Sequence, residues 1–152
     1  MEINELLENY FLKTIGIRYE YFPEYQYLNV DFVSLIFSNE FSLNLSVNTD
    51  TDELLCSIDE TISTDCVDGK VIFPELENFY GLYPIFSWIM DNNRGYFDSI
   101  QIEFIPEKNI EYILQFKVSA SNIEIYSIKK MNPNIKGLPG DKLCIEFGGH
   151  IT

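Results

Sequence analysis

The feature that most restricts the fold is a period-two alternation of apolar and polar residues in the first third of the chain. From Phe41 to Val47 every second residue is apolar and the residues between are Ser or Asn, as in a strand with one face on a core. The run 15–21 alternates in the same way, and a further extended run covers 25–37. Breaks at 22–24 and 38–40 separate these runs, which predicts a three-stranded antiparallel meander.

Two other parts of the chain favour helices. Apolar residues recur at helical spacing over 3–11, with carboxylates in the first turns where the helix dipole favours them. The segment 74–92 has two apolar clusters, which predict a helix or a pair of short helical turns whose continuity Pro84 limits.

The second half of the chain reads mainly as strands. The runs 96–105, 111–118 and 123–128 are β-branched or aromatic and bounded by turn residues, and 143–147 resembles a last edge strand. We therefore predict an α+β fold within a single domain, residues 1–152. Its main part would be an antiparallel sheet of about six strands, with an N-terminal helix and a central helical segment packed on it.

Negative charge is concentrated in one part of the chain. Between Tyr19 and Gly69 there are eleven carboxylates and neither Lys nor Arg, so this stretch supplies −11 of the net charge of −14. The first eighteen residues contribute −1, and the residues from Lys70 onward contribute −2. Such a one-signed field attracts a basic partner, whereas an ordinary solubility surface mixes both signs. It disfavours direct binding of nucleic acid or of an anionic membrane.

Tyrosines, which are enriched at protein interfaces, share the acidic stretch. We therefore predict a partner-binding surface in which carboxylates fix Lys or Arg side chains of a basic protein. Its candidate residues are Asp50, Asp52, Glu53, Asp59, Glu60, Asp65, Asp68, Tyr25 and Tyr27. The competing interpretation is a solvated face that keeps the protein soluble.

Motifs of enzyme chemistry are absent from the sequence, which has no GxSxG, P-loop, HExxH or dinucleotide-binding glycine pattern. We predict no enzymatic activity and no cofactor. The carboxylates at 50–53 and 65–68 could still form a divalent-metal site, although the full EF-hand spacing is missing. Three cysteines without CxxC spacing, no membrane-length apolar segment and an acidic N terminus predict a cytoplasmic protein with reduced thiols.

Two segments carry a resemblance to a family. Thr51-Asp52-Glu53 after one strand, and the run from Trp88 through Asn92-Asn93-Arg94-Gly95 to Asp98 before another, resemble an uncharacterised family of small bacterial α+β proteins over about residues 41 to 105. Small, acidic, single-domain chains of this kind are also similar to immunity proteins, including those of contact-dependent growth inhibition systems. The resemblance implies neutralisation of a toxin domain, often a basic nuclease, by covering its active site or substrate groove, and it transfers no catalytic residue.

Together these observations predict an immunity protein that binds a cognate basic toxin domain, a nuclease of the RNase kind, and masks it electrostatically. The alternative is an acidic adaptor or regulatory binding module with no toxin partner. A divalent-metal-binding domain is the less favoured third interpretation.

Overall fold

The computed structural model describes residues 3–60, 65–92, 94–107, 110–131, 142–146 and 149–150. In these ranges the chain forms mostly antiparallel β-sheet with a few short helices. The α-helices are α1 (Ile3–Asn9) and α2 (Gly69–Ile72), and 3-10 helices cover Pro23–Tyr25 and Pro74–Phe79. The strands are β1 (Leu12–Phe22), β2 (Tyr27–Phe37), β3 (Ser42–Asn48), β4 (Glu53–Asp59), β5 (Val67–Asp68), β6 (Pro84–Asp91), β7 (Phe97–Glu107), β8 (Ile110–Ser119), β9 (Asn122–Met131), β10 (Lys142–Glu146) and β11 (Gly149–His150).

The strands form two antiparallel sheets. Sheet A has the order β4-β3-β2-β1-β5, and β11 also pairs with β2; sheet B has the order β10-β9-β8-β7-β6. The predicted predominance of antiparallel sheet is confirmed, as is the meander, which is β1-β2-β3. The prediction of one sheet of about six strands is wrong, because the second half of the chain pairs within its own five-stranded sheet.

The central helical segment is only partly helical. The 3-10 helix Pro74–Phe79 occupies its first cluster, but the second cluster is strand β6, which pairs with β7. Tyr80 leaves the helical region of backbone angles, and Gly81 follows with a φ of +89°, which turns the chain into the strand. Pairing with β7 therefore overrides the helix-like spacing of apolar residues at 85–90.

One cluster of buried side chains connects the two sheets and the short helices. Alternate residues of β1 and β2 face inward, and Leu6 of α1 is fully buried with them. Phe79 of the second 3-10 helix packs edge-on against Phe104 and Tyr112 of sheet B, with ring centroids 5.5 and 5.7 Å apart. The sheets thus lie face to face with this helix between them at one end.

The register of the strands brings three turns to the opposite end of the molecule. Leu12 pairs with Phe37, so the tip of the β1–β2 hairpin lies away from the β2–β3 turn, on the same side as the β3–β4 turn. The β8–β9 turn joins them, since Asn122 Oδ1 accepts a hydrogen bond from the Val30 amide at 2.8 Å. We name this region, residues 20–26, 49–53 and 120–122, the hairpin end.

Candidate partner-binding surface

The nine predicted contact residues do not form one patch. The hairpin end contains Tyr25, Asp50, Asp52 and Glu53, and Tyr27 begins the strand beside it. Asp59 and Glu60 lie at the other end of β4. Glu53 and Asp59 are six residues apart along this strand, which corresponds to about 20 Å. Asp68 lies on β5, the opposite edge strand of sheet A, and Asp65 lies just before it; β5 is four strand spacings or about 19 Å from β4.

Two carboxylates of the acidic stretch are paired with basic residues from outside it. Lys13 Nζ lies 2.7 Å from Glu40, and Arg18 Nε lies 3.0 Å from Asp31. The Arg18 guanidinium also lies 5.1 Å from the centre of the Phe32 ring. Both pairs are solvent-exposed, so each contributes at most about 1 kcal/mol to stability. Their larger effect is local neutralisation, which leaves the one-signed field to the other carboxylates.

Asp52 holds the hairpin end together. Its Oδ1 accepts a hydrogen bond from the Ser121 amide at 2.8 Å, with the Ser121 hydroxyl 3.4 Å away. Its backbone has a φ of +56°, a left-handed conformation that Asp tolerates better than most residues. Ala120 and Ser121 both have positive φ as well, as two-residue hairpin turns require. We name this contact between the β3–β4 and β8–β9 turns the turn clasp.

Asp68 is likewise engaged within the fold. Its Oδ1 accepts hydrogen bonds from the Tyr80 hydroxyl at 2.7 Å and from the Lys70 amide at 3.1 Å, where it caps α2. The Tyr80 hydroxyl also accepts from the Ile15 amide at 3.2 Å. Burial raises the pKa of Tyr80 to about 12, so this phenol stays protonated at neutral pH.

The most accessible groups of the hairpin end are on the tip of the β1–β2 hairpin and on the β3–β4 turn. Tyr25 is 74% exposed, the most of any large apolar or aromatic side chain described, and Glu24 and Asp50 are exposed with it. Gln26, with a φ of +48°, closes the 3-10 turn that presents Tyr25. Tyr27 is half-buried, and burial followed by the charge of Glu124 raises its pKa.

The predicted contact residues left out three neighbours, Glu20, Tyr21 and Glu24. Glu20 and Tyr21 are exposed on β1 close to the hairpin tip, and Glu24 is exposed on the tip itself. The signal for them was available: the break at Phe22-Pro23 marks the hairpin tip, and the residues before such a tip share its end of the sheet.

Among the residues that have a described position, no group of three or more His, Cys, Asp or Glu side chains could hold a metal ion. An open cavity of about 290 Å³ lies beside β5 and is lined by Thr14, Gly16, Ser34, Cys66 and Asp68 among others.

Within the described ranges, no helix is both long enough and apolar enough to cross a membrane.

The fold and this surface define a two-sheet antiparallel β protein with an acidic, tyrosine-bearing end. Residues 6–132 match the model of a family described as Family of unknown function (DUF6334). Since the match covers most of the chain, the protein belongs to that family. Searches of curated proteins and of solved structures found no match.

Proposed function

We propose that this protein is a cytoplasmic immunity protein that binds a basic toxin domain, a nuclease of the RNase kind, and masks its substrate groove. It would act without catalysis and without a cofactor. The observation that carries the proposal is the composition of the hairpin end, where exposed Tyr25 and Tyr21 stand among Glu20, Glu24 and Asp50.

The carboxylates and the tyrosines of the hairpin end would act on different steps of such binding, association and dissociation. Carboxylates on a protein of net charge −14 speed the approach of a basic surface and occupy the positions that phosphates would take on it. An exposed tyrosine adds rigid contact area and slows dissociation. A groove that binds nucleic acid carries Lys and Arg and often aromatic stacking positions, so it offers counterparts to both kinds of group.

The separation of the acidic residues supplies a matched control. Glu24→Lys with Asp50→Lys changes the hairpin end, and Asp59→Lys with Glu60→Lys changes the opposite end of β4. Each pair changes the net charge by +4, from −14 to −10, so total charge is the same and only its position differs.

The test begins with affinity capture from a lysate of the native host, with elution by a salt gradient. We expect one basic partner, whose toxicity in cells is abolished by co-expression of this protein. The Glu24/Asp50 variant should associate with the partner at least tenfold more slowly, and its association rate should depend less on salt. The Asp59/Glu60 variant should change the association rate less than threefold. Equal effects of the two variants would contradict the assignment of the hairpin end, and a salt-insensitive contact would favour the adaptor alternative.

Tyr25→Ala tests the aromatic contribution separately. If Tyr25 is a buried anchor of the complex, its loss should raise the dissociation rate about 30-fold, which corresponds to about 2 kcal/mol, and leave association nearly unchanged. An unchanged dissociation rate would remove Tyr25 from the interface.

A further inference from the structure

Exposed apolar side chains are concentrated on one edge of sheet B, which lies outside the acidic stretch. Among the described residues, six of the twelve large apolar or aromatic side chains that are exposed lie on β6 or next to it. They are Tyr83 (45% exposed), Ile85 (41%), Trp88 (44%), Ile89 (59%), Tyr96 (39%) and Ile105 (50%). Apolar area collected in this way marks an interaction surface more often than scattered single residues do.

Ile89 shows why this edge is unusual. It pairs with Ile100, which is fully buried, so both side chains lie on the core-facing side of sheet B. Sheet A contacts β7 and β8 through β4, and beyond β7 the core-facing side of β6 is left partly open. Helix α1 packs against β6, yet Ile89 keeps more than half of its surface in solvent.

The backbone of β6 is available as well. In the part of the chain that the structure describes, β6 pairs only with β7 and forms the last strand of its sheet. Natural edge strands are usually protected by charged residues. Strand β4, one edge of sheet A, has Glu53 and Asp59 at its two ends, whereas β6 has Asp91 alone and no basic residue. Pro84 and register shifts interrupt the two ends of β6, so its regular, uncharged stretch is 86–90.

We propose that β6 is a self-association edge, at which two copies of the chain pair their β6 strands antiparallel about a twofold axis. The two five-stranded sheets would then form one continuous sheet of ten strands. A twofold axis perpendicular to the sheet keeps the core-facing sides together, so the Ile89 side chains of both copies lie on one side and the Trp88 side chains on the other.

The charge distribution favours a second copy as the occupant. A basic partner has only Asp91 to contact along this strand, whereas a second β6 brings an equally uncharged, apolar strand. Antiparallel pairing centred on Ser87 or on Trp88 keeps the two Asp91 carboxylates about 26 or about 20 Å apart, and both distances exceed the Debye length of about 8 Å at physiological salt. Two copies of net charge −14 still repel each other at long range, so association should strengthen as salt is raised.

Sedimentation equilibrium of the full chain tests this inference. We expect monomer and dimer to be in equilibrium at protein concentrations below about 300 µM. The dissociation constant of the dimer should decrease as the NaCl concentration is raised from about 0.05 M to about 0.5 M. Ile89→Lys should raise that constant at least tenfold. Leu55→Lys is the matched control, because Leu55 is 47% exposed on the other sheet's edge strand and the substitution makes the same change of charge.

Circular dichroism melts of both variants verify that each remains folded, as expected for exposed positions. A wild-type chain that stays monomeric at every concentration and salt would overturn the proposal. A dimer that Ile89→Lys leaves intact, or that Leu55→Lys weakens equally, would overturn it too. Binding of the basic partner should weaken as salt is raised, whereas dimerisation should strengthen. The two associations can therefore be tested separately, and failure of one does not decide the other.

Discussion

The turn clasp should be worth several kilocalories per mole, and substitutions at Asp52 can divide that value into its parts. Asp52→Ala removes a charged acceptor from the Ser121 amide, which costs about 1.5–3 kcal/mol. Ala also lacks the local polar group that helps Asp adopt a φ of +56°, which adds about 1 kcal/mol or less, since the Cβ itself is present in both residues. We therefore expect the free energy of unfolding to fall by about 3 kcal/mol.

Two further variants isolate these terms. Asp52→Gly loses the hydrogen bond but accepts positive φ without strain, so it should lose about 2 kcal/mol. Asp52→Asn tolerates the backbone angle and keeps an oxygen acceptor, so it should lose about 1 kcal/mol or less, since neutral hydrogen bonds are roughly half as strong. Urea denaturation followed by circular dichroism measures all three against wild type.

The predicted order of stability is therefore wild type, Asn, Gly and Ala. An Asp52→Ala protein within about 0.5 kcal/mol of wild type would refute the turn clasp as a stabilising contact. An Ala variant as stable as the Gly variant would refute only the contribution of the backbone angle and would leave that of the hydrogen bond standing.

Three other predictions follow from buried groups. The pKa of Tyr80 is raised to about 12 from its ordinary 10.0, so folding favours the protonated phenol. About 1–2 kcal/mol of the free energy of unfolding that is present below pH 10 should therefore be lost as the pH rises towards 12. Tyr80→Phe should abolish this loss in urea titrations. Burial raises the pKa of the Cys56 thiol to about 11 from 9.0, so its alkylation in the native protein at pH 8 should be about 100-fold slower than in urea, and equal rates would contradict this. Gly69→Ala would place a Cβ 2.9 Å from Leu76 Cδ1 and 3.1 Å from the Ile15 carbonyl oxygen, so it should destabilise by about 1–3 kcal/mol, and an unchanged melting temperature would show that the site relaxes.

The fold was predictable where one face of a strand is covered and the other meets solvent. The alternation over 41–47 corresponds to β3, because its two sides have different environments. Strand β6 lacks that contrast, since Trp88 and Ile89 point to opposite sides and both are exposed. Its apolar spacing therefore resembled a helix, and only pairing with β7, a contact distant in sequence, decides the outcome.

The candidate surface was predictable in composition and not in arrangement. Counting charges locates the acidic stretch, but the register of the strands decides that Arg18 meets Asp31 and that Asp59 lies at the opposite end from Asp50. The role of Asp52 depends on Ser121, sixty-nine residues away, which no local pattern indicates.

Amide hydrogen exchange of this protein, free and bound to the basic partner captured from its host, tests whether the hairpin end is the interface. We predict that binding slows exchange at residues 20–26 and 49–53 and leaves exchange at residues 59–60 and in strand β6 unchanged. Protection confined to β6 or to the opposite end of β4, with no change at the hairpin end, would contradict it.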